Sequence, residues 1–415
     1  MARPVLDAED VAMLNGERGA AEAMAMRLLV GLGGATGARR MIDISSAHVD
    51  GTLYLGEASL EFATRLRDLG GRVRVPTTLN VSSLDLLHPD LFLGDDTTRR
   101  AALATMQAYV DMGGRATWTC APYQLPERPE LGDRVAWGES NAVVFANSVL
   151  GARTPRFGDF VDIAAALTGR APEMGLYLDE NRRAGVLFDV SRVPRRALAT
   201  DELFAVLGIM VGAAAGMTVP VITGLESATE DQMKVLGAAA ASSGTVGLIH
   251  VVGVTPEART LAEATAGREP ARVNVTPAAL DAAYSGLTST TSGALRTVNL
   301  GTPHYSSDQI ARLSRLLDGR PVHDRVTFYV NTGRDVLGSA SGIGDLEGLG
   351  VVFVVDTCTY VTPIIRDLSG VAMTDSAKWA YYAPGNLGLD VVFGSTADCV
   401  ESAVAGRVMR GSTPW

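Results

Sequence analysis

Apolar positions along the chain follow two alternating periods. Where they recur every three or four residues the pattern predicts amphipathic helices, and where they run together between turn residues it predicts buried strands. Positions 8–30 predict one helix with Asp7 as its N-cap. MIDISSAHV (41–49) reads as a strand entering a loop, and ASLEFATRLRDLGG (58–71) as a helix closed by glycine. RVRVPTTL (72–79) reads as a strand stopped by Pro76, 96–112 as a helix, and ATWTC as a strand end. Helices follow at 138–151 and 158–169, then GVLFDV (185–190) as a strand. DELFAVLGIMVGAAAG and TEDQMKVLGAAAASSG read as helices, VPVITG (219–224) and VGLIHVVGV as strands. Near the end, RVTFYVNT, VVFVVDTC and VVFGST predict strands, and DQIARLSRLLDG, GDLEGLG and ADCVESAVAG predict helices or helix ends. Such alternation predicts an α/β protein with mostly parallel sheets. The length suits two or three domains, and a division into three is expected at 1–175, 176–300 and 301–415.

Composition narrows the class. Apolar residues make up 47% and charged residues 20%, ordinary for a soluble enzyme. The net charge of −10 argues against nucleic acid or an anionic membrane surface as the main partner. Forty-five glycines among 415 residues are spread along the chain and read as tight turns. MARPVLDAEDVAML has no apolar core of the secretory kind, and AEAMAMRLLVGLG is too short and too polar to span a bilayer. The expectation is a cytoplasmic protein whose three cysteines stay reduced.

Those cysteines occupy element edges. Cys120 lies in the proline-pinned RATWTCAPYQLPERP, Cys358 follows the apolar run VVFVVDT, and Cys399 opens the last helix. Ligands gather beyond the carboxyl ends of parallel strands, and a helix N-terminus favours a thiolate. Three thiolates from distant segments suit an iron–sulfur cluster or a zinc ion with one open position. Three unrelated buried thiols fit the spacing as well, since no CxxC occurs.

Longer stretches add a resemblance. SSAHVDGTLYLGEASLEFATRLRDLGGRVRVPTTLNVSSLD (45–85), WGESNAVVFANSVLGARTPRFGDFVDIAAALTGR (137–170) and TDSAKWAYYAP (374–384), with TCAPY and VVDTC, resemble the large subunit of aconitase X. That family belongs to the aconitase superfamily of iron–sulfur dehydratases. The likeness runs from about residue 41 to the C-terminus. It implies three aconitase-like α/β domains around an iron–sulfur cluster, [2Fe–2S] or [4Fe–4S], held by Cys120, Cys358 and Cys399. It also implies a small swivelling-domain subunit that closes over the cluster and carries a serine base. Bacterial members dehydrate cis-3-hydroxy-L-proline and archaeal members mevalonate 5-phosphate. Some members carry cysteine where this chain has Thr302, in LGTPHYSSDQI (300–310), so either that position is no ligand here or the cluster type differs.

Polar residues in these stretches take expected roles beside plainer ones. His48, Ser46 and Lys378 form the catalytic set, although His48 could cap a loop and Lys378 could be solvated beside Trp379. Asp50, Thr77, Thr78, Asn80, Glu139, Ser140, Asn141 and His304 form the substrate-binding set, although Thr and Asn also build turns and Ser140 could cap a helix. No GxxxxGK[ST] loop occurs and TGLESATEDQ (223–232) is acidic, which favours hydroxyproline over the phosphorylated substrate. A zinc hydrolase would use the same thiols. A non-catalytic cluster sensor would need a basic DNA-binding face, which the charge opposes.

Overall fold

The computed structural model describes residues 4–291 and 293–415. The strands are β1 (Met41–Asp43), β2 (Ser46–Val49), β3 (Thr77–Leu79), β4 (Val135–Trp137), β5 (Arg170–Pro172), β6 (Ala184–Asp189) and β7 (Val219–Thr223). They continue as β8 (His250–Val251), β9 (Ala271–Asn274), β10 (Leu295–Tyr305), β11 (Thr327–Thr332), β12 (Val351–Val354), β13 (Val371–Thr374) and β14 (Asp390–Phe393). Among the described residues they form three parallel sheets, in the orders β3-β2-β4, β8-β7-β6-β9 and β12-β11-β10-β13-β14, while β1 pairs antiparallel with β5. The α/β class with mostly parallel sheets is thus observed. Among the described residues no helix is long and apolar enough to cross a membrane.

In the third sheet chain order reverses at β10, with β11 and β12 on one side and β13 and β14 on the other. Open parallel sheets bind ligands at the carboxyl ends of their strands, at such a reversal. The first sheet meets this edge. Ser82 bridges Thr357, and the Val355 N–H donates to Asp85 Oδ2 at 3.0 Å.

Local pattern and structure part company in several places. The single helix expected over 8–30 is two, Ala8–Leu14 and Ala20–Thr36, separated at Gly16 and Gly19, both at positive φ. Asp7 does cap the first, in a reciprocal box with Asp10. Pro76 precedes β3 rather than ending a strand: it lacks an N–H to donate, but its carbonyl accepts from Ala47. ATWTC is not a strand, because Trp118 turns the chain at φ +44°. The periodicity also passed over β10. Thr297, Asn299, Thr302 and His304 interrupt its apolar run although all are buried, and the expected division at 300 falls inside this strand.

Candidate active site

The site forms where the carboxyl ends of the first and third sheets meet. His48 sits in β2 opposite Thr78 of β3 and Trp137 of β4. Asn80 follows β3, and Glu139 N-caps the helix Ser140–Phe145 just beyond β4. His304 lies near the end of β10, Cys358 in the loop after β12, and Lys378 in the helix Ala377–Leu387 after β13. Gly301 makes the approach to His304 possible. It holds φ +86°, and a Cβ there would meet the Asn331 carbonyl oxygen at 2.1 Å.

Cys120, Cys358 and His304 are buried, and one ligand atom from each lies within 4.8 Å of the others. The His304 N–H donates to Cys120 Sγ at 3.4 Å. Its Nδ1 lies 2.9 Å from Thr119 Oγ1, and its Nε2 is buried with no hydrogen-bond partner among the described residues. Burial lowers the imidazole pKa to about 4, so the ring is neutral and keeps a lone pair to offer. Burial alone would raise the Cys120 thiol, but the hydrogen bond from Cys358, the Lys378 charge and the His304 N–H outweigh it and bring the pKa below the usual thiol value. Cys358, the donor in that pair, is pushed well up. Two thiols, one of them with a lowered pKa, and a neutral imidazole form a soft donor set of the kind iron–sulfur clusters and zinc accept.

Cys399 is the correction. Its side chain is buried in the apolar core of the third sheet, with Leu313, Met373 and Val400, and it is not brought to the other two cysteines. The helix Thr396–Ala405 turns position 399 inward, and the helix N-terminus expected to favour a thiolate is closed by a capping box between Ser395 and Asp398. Burial then raises this thiol well above its ordinary value. His304, expected on the substrate, stands with the thiols instead.

Beside the thiols a polar network links the remaining residues. Lys378 Nζ donates to Glu139 Oε1 at 2.7 Å, and the pair is 4% and 9% exposed at its side chains. The Asn141 N–H (3.1 Å), Asn141 Nδ2 (2.8 Å) and Ser140 Oγ (3.1 Å) donate to the same oxygen. Burial would raise Glu139 and lower Lys378, yet each holds the other charged: Glu139 lies well below the carboxylate range and Lys378 well above the amine range. Asn141 Nδ2 also reaches the Cys120 carbonyl at 2.9 Å, and the Tyr123 hydroxyl donates to Asn141 Oδ1 at 2.7 Å. Asn80 Nδ2 donates both to Glu139 Oε2 at 3.1 Å and to Asp50 Oδ1. His48 Nδ1 lies 2.8 Å from Thr78 Oγ1, its Nε2 has no hydrogen-bond partner among the described residues, and burial lowers its pKa to about 4.

Two expected residues stand aside. Thr77 Oγ1 donates to the Val75 carbonyl at 2.8 Å, an ordinary turn contact. Ser46 opens β2 at the end away from the strand's carboxyl terminus. Sequence reasoning also missed Lys234, whose Nζ donates to the His304 carbonyl at 3.2 Å while paired with Asp231 at 2.8 Å. A lone lysine in the apolar helix Glu230–Ser243 was the available signal. A cavity of about 250 Å³ reaches Lys378 between the middle and third units, lined also by Thr302, Tyr305, Asp375, Ser376 and Lys234. The Thr302 hydroxyl is buried there with no hydrogen-bond partner among the described residues.

Comparison with known proteins places this arrangement. Residues 3–180, 184–285 and 295–405 match the first, second and third domains of aconitase X. A cis-3-hydroxy-L-proline dehydratase of Pseudomonas aeruginosa is 42% identical over 100% of this chain and 72% of its own length. The chain belongs to the aconitase X family. A phosphomevalonate dehydratase large subunit of Methanothermobacter thermautotrophicus is 39% identical over 94% of the chain and 96% of its own length. The solved holo form of Thermococcus kodakaraensis aconitase X superposes with a TM-score of 0.86 at 33% identity, covering 96% of this chain and all of that one. Membership in aconitase X and the buried Cys120–His304–Cys358 group together fit an iron–sulfur cluster.

Proposed function

We propose that this chain is the large catalytic subunit of an iron–sulfur hydro-lyase. It removes water from cis-3-hydroxy-L-proline, giving an enamine that rearranges to Δ1-pyrroline-2-carboxylate. The observation that carries the reading is the 42% identity, over the whole chain, to a protein named for that dehydration. Electrostatics supports it. Lys378 is paired with Glu139 and Lys234 with Asp231, so the two buried lysines of the site leave little net positive charge for a phosphate dianion.

Cys120, Cys358 and His304 would hold the cluster, with Cys399 no part of it. When bound, the cluster supplies a Lewis acid for the departing hydroxyl. Lys378, held by Glu139, binds the substrate carboxylate, where negative charge gathers as the α-proton leaves. His48, fixed through Nδ1 by Thr78, presents Nε2 to orient or protonate the leaving hydroxyl. Ser46 has no part in this scheme, and the base that takes the α-proton belongs to a small swivelling-domain subunit. The Methanothermobacter relative is named as a large subunit, which supports a partner of that kind.

The test is anaerobic purification with and without the small subunit, followed by iron, sulfide and zinc analysis and assay on both substrates at equal concentration. Iron with acid-labile sulfide, and hydroxyproline turnover only in the pair, is expected. Zinc without sulfide points to a zinc hydrolase. Turnover of mevalonate 5-phosphate alone reverses the substrate assignment, and full activity of the single chain removes the partner.

A further inference from the structure

We infer that Asp50, with Asp162 and the hydroxyl of Tyr109 behind it, is the subsite that takes the ring ammonium of the substrate and so selects an amino acid over a non-amine hydroxy acid. The inference rests on the hydroxyproline reading above.

Asp50 leaves the carboxyl end of β2 and remains partly accessible. Its backbone N–H donates to Asp162 Oδ2 at 2.6 Å, and its Oδ1 accepts from Asn80, whose amide also reaches Glu139. The carboxylate therefore stands one side chain away from the Glu139–Lys378 pair. Among the described residues no lysine or arginine pairs with Asp50, Asp159 or Asp162, although surface carboxylates elsewhere in the chain commonly have such partners. Gly138 permits the crowding: a Cβ there would meet Asp162 Oδ2 at 2.3 Å and Asp50 Cβ at 2.8 Å.

Two buried polar atoms at this spot await a partner. Tyr109 is 0% exposed and its hydroxyl has no hydrogen-bond partner among the described residues. It lies against Gly51, where any side chain would come within 3.3 Å of it. Asn80 is 1% exposed, and with its Nδ2 committed to two carboxylates its Oδ1 is left over. Buried polar atoms are normally satisfied, so a partner is missing. Acceptors and negative charge dominate the set, hence the missing partner is a cation that donates hydrogen bonds. A pyrrolidinium nitrogen carries a positive charge and two N–H donors. A bare metal ion suits the place less well, because among the described residues only Cys120, His304 and Cys358 converge as metal ligands do. The titration behaviour agrees. Burial first, then the neighbouring carboxylates Glu139, Asp159 and Asp162, pushes Asp50 well up, and burial brings Asp162 to about 7. An ammonium would relieve both.

The experiment uses the enzyme assembled with its small subunit and metal. L-Proline and (S)-tetrahydrofuran-2-carboxylate, which differ in N–H₂⁺ against ring oxygen, compete with cis-3-hydroxy-L-proline. A charge-assisted hydrogen bond predicts that L-proline inhibits roughly tenfold to a hundredfold more tightly. In Asp50→Asn that preference should fall to near unity and KM should rise more than kcat falls, with iron and sulfide content retained. Tyr109→Phe, which removes an unpartnered hydroxyl and so leaves the fold intact, should reduce the preference in part. Equal inhibition of wild type by the two acids overturns the inference, as does an unchanged preference in Asp50→Asn. If Asp50→Asn fails to fold, Tyr109→Phe decides by the same ratio. Wild type that never dehydrates hydroxyproline sinks the parent reading instead. Calorimetric binding of the two acids then decides for Asp50: amine preference lost in the variant upholds it, and no preference overturns it.

Discussion

Lys378 and Glu139 show what a single residue contributes here. Each is buried, and each keeps its charge chiefly through the other. Removing one partner of a buried pair leaves an uncompensated charge and typically costs about 3–5 kcal/mol. Lys378→Met should therefore lower the urea midpoint sharply, while the double variant Lys378→Met/Glu139→Gln recovers most of the stability. Activity should stay lost in both, because the cation proposed to bind the substrate carboxylate is gone. Recovery of turnover in the double variant would move Lys378 out of the site. Cysteine variants separate the thiols in the same way. Cys120→Ala and Cys358→Ala should lose iron and sulfide. Cys399→Ala should keep both and lose only packing in the third core, about 1 kcal/mol for a sulfur-sized deletion. Iron loss in Cys399→Ala would restore it as a ligand.

Among the elements, β10 does most to assemble the site. Its register against β11 shifts between Leu300 and Tyr305, and this irregular segment carries Gly301, Thr302 and His304. Gly301 combines a positive φ with a Cβ position overlapping the Asn331 carbonyl oxygen, so Gly301→Ala must displace β10 or β11. The expected result is a loss of about 2 kcal/mol or more together with lower iron content, since His304 moves with the strand. Gly344 provides the comparison. It lies inside the exposed helix Ile343–Gly348 with open space around its would-be Cβ. Gly344→Ala should leave iron content unchanged and stabilise by about 0.4–1 kcal/mol. Equal iron loss in both variants would mean that the shifted segment does not position His304.

At the scale of the whole molecule, buried charge sets the pH dependence. Burial raises Asp162 and Glu202 to about 7 and Asp375 to about 6, while it lowers His48 and His304 to about 4. A carboxyl with a raised folded pKa makes the native state the better proton binder, so stability falls as pH climbs from the unfolded pKa to the folded one. Histidines with lowered pKa act in the opposite sense below their ordinary value of 6.5. The two effects oppose each other in mild acid, and above about pH 6.5 only the carboxyl effect remains of the two. Glu202, beside the cavity, isolates one group. Glu202→Gln should raise the urea midpoint at about pH 8 and give no gain at about pH 4, below the unfolded carboxyl range. A gain of the same size at both values would mean that Glu202 is not charged at a cost in the native state.

How much of this was written in the sequence depends on range. Periodicity determined the α/β class, the capping of the first helix by Asp7 and most helices, because these rest on interactions between residues a few positions apart. The distinctive strings around His48, Glu139 and Lys378, together with TCAPY and VVDTC, pointed to aconitase X and through it to Cys120, Cys358 and Cys399 as one ligand set, of which the fold brings together the first two. Helix placement also suggested Cys399, and there local logic misled: a helix start favours a thiolate only when that side chain faces solvent or a ligand, and packing turned it into the core. β10 escaped notice for a related reason. Its Thr, Asn and His side chains look like loop residues until the hydrogen bonds that bury them are known, such as Thr119 to His304 across 185 positions. Only the tertiary structure could bring His304 to Cys120 and Cys358, bind Lys378 to Glu139 across 239 positions, and set Asp50 beside Asp162 and Asn80. Contacts of that separation depend on which surfaces bury one another, a property of the assembled sheets that no local pattern of residues encodes.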